Sequence, residues 1–355
     1  MEGEARERVR RNRRFLGRLL IFVTVFSLLC ASVAFVLTPK NDFGCGSMLN
    51  LYAQPCHTID VMAVGTSMTY AGVNTNVLWA NWGIAAYDLA SAEQQYWNTY
   101  FYLKEALKTQ RPKVILLDAK PATYPDDGTK RGRTIMSTFG ILSPDTRLAA
   151  IRETAGEEWL EYALAFPQIH ELWKQFTWNS ILPAGWTGGR AADWKGFIEK
   201  DDLEHHDKPS LVWTDIKRNV NAREAEYFGK ICDLAEENGI SVLLIAYPNP
   251  DYASDHMFYN GLWALADERG IPHLNLNDPA GHYRFHYSTD FADWQHLNTK
   301  GSLKLSKILG AYLKEHYALD DHRGEAAYAS WDDCLTAWKT AWPQYTDLIS
   351  TEEGT

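Results

Sequence analysis

The chain has 355 residues, 46% of them hydrophobic and 23% charged, and a formal net charge of −10. That is an ordinary globular composition, long for one domain but not clearly two. Seven Arg and three Glu fall within the first eighteen residues, so the remainder is more acidic still. The body of the protein therefore offers no basic surface for nucleic acid.

The first signal along the chain is topological. Residues 1–18 form a basic tail ("RERVRRNRR"), and no charge occurs from Leu19 to Leu37. A helix rising 1.5 Å per residue over that length crosses about 30 Å of hydrocarbon. The positive-inside rule places the N-terminus in the cytoplasm and residues 41–355 outside. "ASVA" would suit signal-peptide cleavage, but the apolar run exceeds a signal-peptide core. Residues 19–38 therefore read as a retained single-pass anchor, followed by a juxtamembrane linker at 39–57. Cys30 lies in the anchor. Cys45 and Cys56 flank a short stretch outside, where an oxidising compartment would allow a disulfide. Cys232 reads as a buried thiol on a helix, Cys334 lies in the tail, and no C-x-x-C occurs.

Beyond the linker, apolar runs alternate with helical patterns. "IDVMAV" (59–64) predicts a buried strand, "NTNVLWANWG" a short helix ending at Gly83, and "IAAYDLA" a second strand. "QYWNTYFYLKEALKTQ" puts Tyr96, Tyr100, Leu103 and Leu107 on one helical stripe. "KVILLDA" predicts a third strand after Pro112. "AREAEYFGKICDLAEENG" predicts a helix stopped by Gly239. "ISVLLIAYP" and "IPHLNL" predict two further strands, and "GSLKLSKILGAYLKEHY" a last helix. This alternation implies an α/β fold, a parallel sheet sandwiched between helical layers, with ligands bound at the carboxyl ends of the strands. A Trp-rich insert at about 124–219 reads as a helical lobe or lid over that edge. Its tryptophans would stack on sugar rings or pack in a core. The acidic tail, 318–355, contains an amphipathic pattern with Trp331, Leu335, Trp338 and Trp342 on one face. "EHHD" (204–207) has metal-ligand residue types but reads as a solvated loop.

Two segments carry the chemistry. In "VMAVGTSMTY" (61–70) an apolar strand stops at Gly65 and Ser67 follows. In "DFADWQHLNTKGS", Asp293 and His296 stand three residues apart, just before the last helix. A serine hydroxyl needs an imidazole to take its proton and a carboxylate to orient that imidazole. D-x-x-H on a tight turn lets the carboxylate reach Nδ1 and leaves Nε2 free for serine. G-x-S-x-G is not present, because Thr69 stands two residues after Ser67, which argues against the nucleophile elbow of α/β-hydrolases.

"AVGTSMTYAGV" and "DWQHLNTKG" resemble the first and last blocks of the SGNH (GDSL-like) hydrolase superfamily. "GIAAYDLASAEQQYWNTYFYLKEAL", "PKVILLD" and "YFGKICDLAEENGISVLLIAYP" resemble its membrane-anchored cell-envelope branch. That branch includes the D-alanine transfer protein of teichoic acids and the alginate O-acetylation proteins. The resemblance covers residues 58–317 apart from much of the insert. It implies a three-layer α/β/α sandwich and an acyl-serine intermediate, with Ser67 as nucleophile, His296 as base and Asp293 as its orienting partner. No metal or organic cofactor is implied. It further implies an extracytoplasmic O-acyl transferase or esterase, the acyl group most commonly acetyl, acting on a cell-envelope polysaccharide. Its expected partner is a polytopic membrane O-acyltransferase that passes the acyl group across the membrane. Three blocks depart from the pattern: Thr66 stands in place of the aspartate of G-D-S, which the envelope branch tolerates, and the second and third blocks also differ. Ala90 and Ser91 stand near the oxyanion glycine position, and "LDAKPA" has no third-block asparagine. The oxyanion donors are then the Ser67 backbone N–H together with Ser91 or Gln94, unless those two cap the helix that follows. A catalytically degenerate scaffold that binds glycan or assembles an export complex is the alternative implied by those departures.

Overall fold

The computed structural model describes residues 2–38, 40, 44–125, 131–164, 173–174, 178, 181–182, 191–207, 214–250, 252–277 and 282–350. The elements in chain order are helix α1 (Glu2–Leu37), α2 (Cys45–Leu51), strand β1 (Val61–Gly65), α3 (Ser67–Gly72), α4 (Thr75–Trp82), β2 (Ala86–Ala90), α5 (Tyr96–Ala106) and β3 (Val114–Asp118). The lobe follows with α6 (Arg131–Thr138), α7 (Pro144–Ala155) and α8 (Trp159–Ala163). Then come α9 (Ala222–Glu237), β4 (Ser241–Ala246), α10 (Tyr252–Glu268), β5 (His273–Asn275), α11 (Thr299–His316), α12 (Ala329–Ala341) and α13 (Thr346–Ser350).

The five strands form one parallel sheet in the order β2-β1-β3-β4-β5. Each strand is an almost unbroken apolar run because both faces are covered. Alternate residues divide between the faces. Met62, Val64, Ile115, Leu117, Val242 and Leu244 pack with α5, α9 and α10. Val61, Ala63, Val114, Leu116, Leu243 and Ile245 pack with α4 and α11. This period of two, set between helices of period 3.6, is what the sequence pattern implied. The predicted strands and helices are present with ends shifted by at most four residues. Gly83 and Gly239 take positive φ (+64° and +67°) at their helix ends, as left-handed stops require.

Helix α1 contains the only stretch among the described residues long and apolar enough to cross a membrane, within Arg6–Leu37. Residues 45–51, expected within a linker, form a helix whose Met48, Leu49 and Leu51 are buried. The expected disulfide is not formed in the structure: Cys45 and Cys56 are not joined. Cys45 opens α2 and is sealed against Leu49, Ile135 and Phe139. Cys56 is exposed, five residues beyond the end of that helix. Proximity in sequence suggested the pair, and the intervening helix separates them.

The lobe helices α6–α8 pack against the C-terminal end of α1, α2 and α5, and Arg133 of α6 pairs with Glu93, in the loop that follows β2, at 3.2 Å. The insert's tryptophans divide. Trp194 is buried, while Trp173 and Trp178 are exposed. Trp186 and Trp213 lie outside the described residues. The C-terminal tail docks on the domain through fully buried Trp331 and Trp338.

Candidate functional site

Strand order reverses at β1: β2 lies on one side and β3 on the other. Ligands bind at such switch points, beyond the carboxyl ends of the strands. The backbone turns sharply there. Gly65 takes φ +149°, and a Cβ on it would lie 2.2 Å from Asp118 Cβ and 2.9 Å from Thr69 Oγ1. Only glycine fits that approach. Thr66 caps α3, its hydroxyl accepting from the Met68 N–H at 3.2 Å, and Ser67 becomes the first helical residue. The first N–H groups of a helix have no partner within it. The Ser67 N–H has no acceptor among the described residues.

The turn rests on a buried carboxylate. Asp118, the last residue of β3, accepts at Oδ2 from Thr66 N (2.9 Å), Thr66 Oγ1 (2.5 Å) and Thr69 Oγ1 (3.4 Å). Its Oδ1 accepts from the Lys120 N–H at 2.8 Å. Burial raises the pKa of Asp118, against the lowering effect of these donors and of the Lys120 charge. Lys120 is itself paired with Asp255 at 2.5 Å.

The partner loop returns from β5 across the sheet. Phe291 and Leu297 bridge to one another and bury against the α11 face. Asn298 caps α11 by accepting from the Gly301 N–H at 3.0 Å, and its amide donates to the Thr289 carbonyl at 3.0 Å. Between these anchors, Asp293 folds back on itself: Oδ1 accepts from Gln295 N (2.9 Å) and His296 N (2.8 Å). This local turn is what aspartate supplies readily. His296 Nδ1 lies 2.8 Å from both carboxylate oxygens, and its Nε2 lies 2.7 Å from Ser67 Oγ. The carboxylate can only accept, so Nδ1 carries the proton and Nε2 is left to accept from the serine hydroxyl. Burial pushes the Asp293 carboxyl up, but hydrogen bonds from His296 and the two N–H groups outweigh it and hold the pKa well below the usual carboxylate range. The three residues paired by sequence, 229 positions apart at their extremes, are thus in a continuous hydrogen-bonded chain. A hydroxyl within reach of an imidazole, itself oriented by a carboxylate, is an arrangement suited to nucleophilic acyl transfer.

The other residues singled out from sequence sit close by in the fold. The Ser91 N–H donates to the Gly65 carbonyl at 3.1 Å, and its buried hydroxyl has no partner among the described residues. Gln94 donates its amide to Thr99 Oγ1 at 2.9 Å. Neither caps α5, whose N-cap is Gln95 with no side-chain bond.

Two side chains at the site were not legible from motifs. Tyr70, one turn after Ser67 on α3, is a hydrogen-bond partner of Ser67. Burial pushes its hydroxyl up to about 12, so it stays neutral. The S-x-x-Y spacing puts both on one helix face, a signal that was available. Lys200 comes from the insert, and its Nζ lies 3.4 Å from Asp293 Oδ2. Its segment is tied to both halves of the site. The Ile198 N–H donates to the Tyr70 carbonyl at 2.7 Å, and the Thr299 N–H donates to the Lys200 carbonyl at 2.7 Å. The insert therefore reaches the site through this strap. Among the described residues no cluster of three or more His, Cys, Asp and Glu is placed to hold a metal ion.

No family model matches the chain, and no curated protein does. Among solved structures it is similar to the crystal structure of a "putative acylhydrolase" from Bacteroides fragilis NCTC 9343. The identity is 10%, with 74% of this chain and 90% of that chain covered at a TM-score of 0.38. A likeness of that size carries no functional inference.

Proposed function

We propose that the chain is a membrane-tethered, serine-dependent O-acyl transferase or esterase of SGNH type, acting on a cell-envelope polysaccharide outside the cytoplasmic membrane. The observation that carries the chemistry is the hydrogen-bonded chain from Ser67 Oγ through His296 to Asp293. The resemblance of the two sequence blocks carries the choice of substrate class. The basic N-terminal tail beside an apolar helix carries the orientation.

In this reading Ser67 Oγ attacks an ester carbonyl carbon as Nε2 of His296 takes its proton. The ionised Asp293 stabilises the imidazolium. The carbonyl oxygen becomes an oxyanion facing the Ser67 N–H, and the Ser91 hydroxyl is the side-chain donor proposed to join it. Collapse breaks the bond to the leaving oxygen, which receives the proton from His296, and the acyl group stays on Ser67. A sugar hydroxyl, or water in the esterase version, then gives its proton to His296 and attacks the acyl carbon; the bond from that carbon to Ser67 Oγ breaks, and Oγ recovers the proton from His296. Acetyl is the expected acyl group. A polytopic membrane O-acyltransferase is the expected donor partner, and α1 would hold the site beside it.

One observation favours a second reading, a glycan-binding scaffold of the same fold without catalysis. The third-block position holds Asp118, whose carboxylate is consumed beneath the turn, and Gln94 is committed to Thr99. The experiment that separates the two is a fluorophosphonate probe on the full chain in detergent, with Ser67→Ala beside it and intact mass as readout. One Ser67-dependent adduct supports the enzyme. No adduct on folded protein supports the scaffold.

A further inference from the structure

Helix α1 meets the domain in an unusual way. Its apolar side chains are exposed from Phe15 to Val33, but Ala34 is buried. There it packs with α2 and with Ile135, Phe139 and Ile151 of the lobe. Beside that contact the surfaces part and leave a cleft of about 720 Å³. Small-molecule sites span about 300–1,000 Å³.

The lining of this cleft changes along the helix axis. Phe26, Cys30 and Ala34 form one wall, and Leu148 and Leu164 face them from the lobe. Thr38, Lys40 and Arg147 also line it. Phe26 to Thr38 covers about 18 Å at 1.5 Å per residue, close to the depth of one leaflet, half of about 30 Å. Exposed Leu142, Leu160 and Leu164 extend the apolar surface of the lobe on the same side.

The cations select the occupant. Arg147 lies over the Phe139 ring at 4.8 Å, and no carboxylate pairs with it among the described residues. Burial lowers its pKa, with only the Cys45 thiol opposing. A guanidinium held against apolar walls without an anion is costly, and a phosphate would satisfy it with two parallel bonds. Lys40, whose buried ammonium donates to the Val36 and Thr38 carbonyls at 3.2 Å each, brings a second positive charge, 4.6 Å from the Phe35 ring centroid. A transmembrane helix of another protein is about 10 Å across and brings no anion to answer Arg147.

We propose that this cleft binds one anionic phospholipid from the leaflet beside the domain, its phosphate on Arg147 and Lys40 and an acyl chain along Phe26, Cys30 and Ala34. The proposal rests on α1 crossing the membrane and not on the acyl-transfer reading.

The test uses the full chain in lipid nanodiscs doped with phosphatidylglycerol bearing a photoreactive acyl chain. Cross-links are mapped by peptide mass spectrometry and normalised to those on the basic tail, which attracts anionic lipid without any cleft. Cross-links should concentrate in residues 26–38 and 139–164. A phosphatidylcholine probe of the same chain should give about tenfold less there, the scale of one charge-assisted contact. Arg147→Gln with Lys40→Gln should fall to the phosphatidylcholine level. Ala31→Trp, which adds bulk to the cleft and keeps both cations, should fall with it. Equal yields from the two probes in the unsubstituted chain would overturn the proposal without recourse to any variant. So would a dimer whose cleft residues are shielded by a second copy.

Discussion

Asp293→Asn removes one charge from the site and little else. The side chain stays the same size, and Oδ1 can still accept from the Gln295 and His296 N–H groups that now hold it at 2.9 and 2.8 Å. What disappears is the anion beside His296 Nδ1, 2.8 Å away. In the transition state the imidazole has gained a proton. Two unit charges about 4 Å apart attract by about 4 kcal/mol at an effective dielectric near 20. The Asp293 side chain is 31% exposed and lies beside Lys200, so solvent and the lysine screen part of this. A loss of about 2–4 kcal/mol remains, or about 30- to 1,000-fold in rate. The assay is the second-order rate of fluorophosphonate labelling of Ser67, which needs no knowledge of the natural substrate. A thermal melt shows that the variant is folded. Labelling within about threefold of the unsubstituted rate, a difference worth under 1 kcal/mol, would refute the assignment of Asp293 to His296.

Three further substitutions or labels probe the frame. Gly65→Ala puts a Cβ 2.2 Å from that of Asp118 at a φ of +149°; it should lower stability by about 2 kcal/mol or more and abolish labelling, seen by melt and mass together. Trp338→Ala empties a fully buried site under α12. A loss of about 3–5 kcal/mol is expected, read by chemical denaturation, while the labelling rate of the folded fraction stays unchanged. Cys56 is the exposed thiol of the domain, while Cys45, Cys232 and Cys334 are buried. A membrane-impermeant maleimide applied to intact cells or spheroplasts should therefore label Cys56 alone; protection until the membrane is opened would reverse the proposed orientation.

The sheet was legible because burial on both faces writes itself as short apolar runs, and Val61–Gly65, Val114–Asp118 and Ser241–Ala246 are such runs. The Ser67, Asp293 and His296 grouping was legible because local spacing already fixes the Asp–His turn. Helix α10 was passed over even though Tyr259, Leu262 and Ala266 carry its buried side, at a helical i, i+3, i+7 spacing. Helix α2 was hidden by its brevity and by the linker expected after an anchor. Lys200 left no trace in the sequence. Its approach to Asp293 depends on the strap pinned to Tyr70 and Thr299, a tertiary event with no local signature. The disulfide expectation failed for the opposite reason, since closeness in sequence was read as closeness in space.

The two carboxylates of the site make opposite predictions about pH. Asp293 is held below the ordinary range of about 3.9. Its network stabilises the fold fully above that value, and the contribution is lost as pH falls further, through the folded-state pKa. Asp118 is shifted upward by burial. Between about 3.9 and its higher folded-state value the native chain binds more protons than the unfolded one, so stability falls as pH rises. One such group contributes a slope of up to about 1.4 kcal/mol per pH unit. Asp118→Asn removes the titration, at the cost of an acceptor for Lys120 N or for Thr66. Unfolding free energies of the two chains, measured by denaturant from pH 4 upward, should therefore converge as pH rises through this window and run parallel beyond it. Curves that run parallel throughout would mean that Asp118 ionises like an exposed carboxylate despite its burial beneath the turn carrying Ser67.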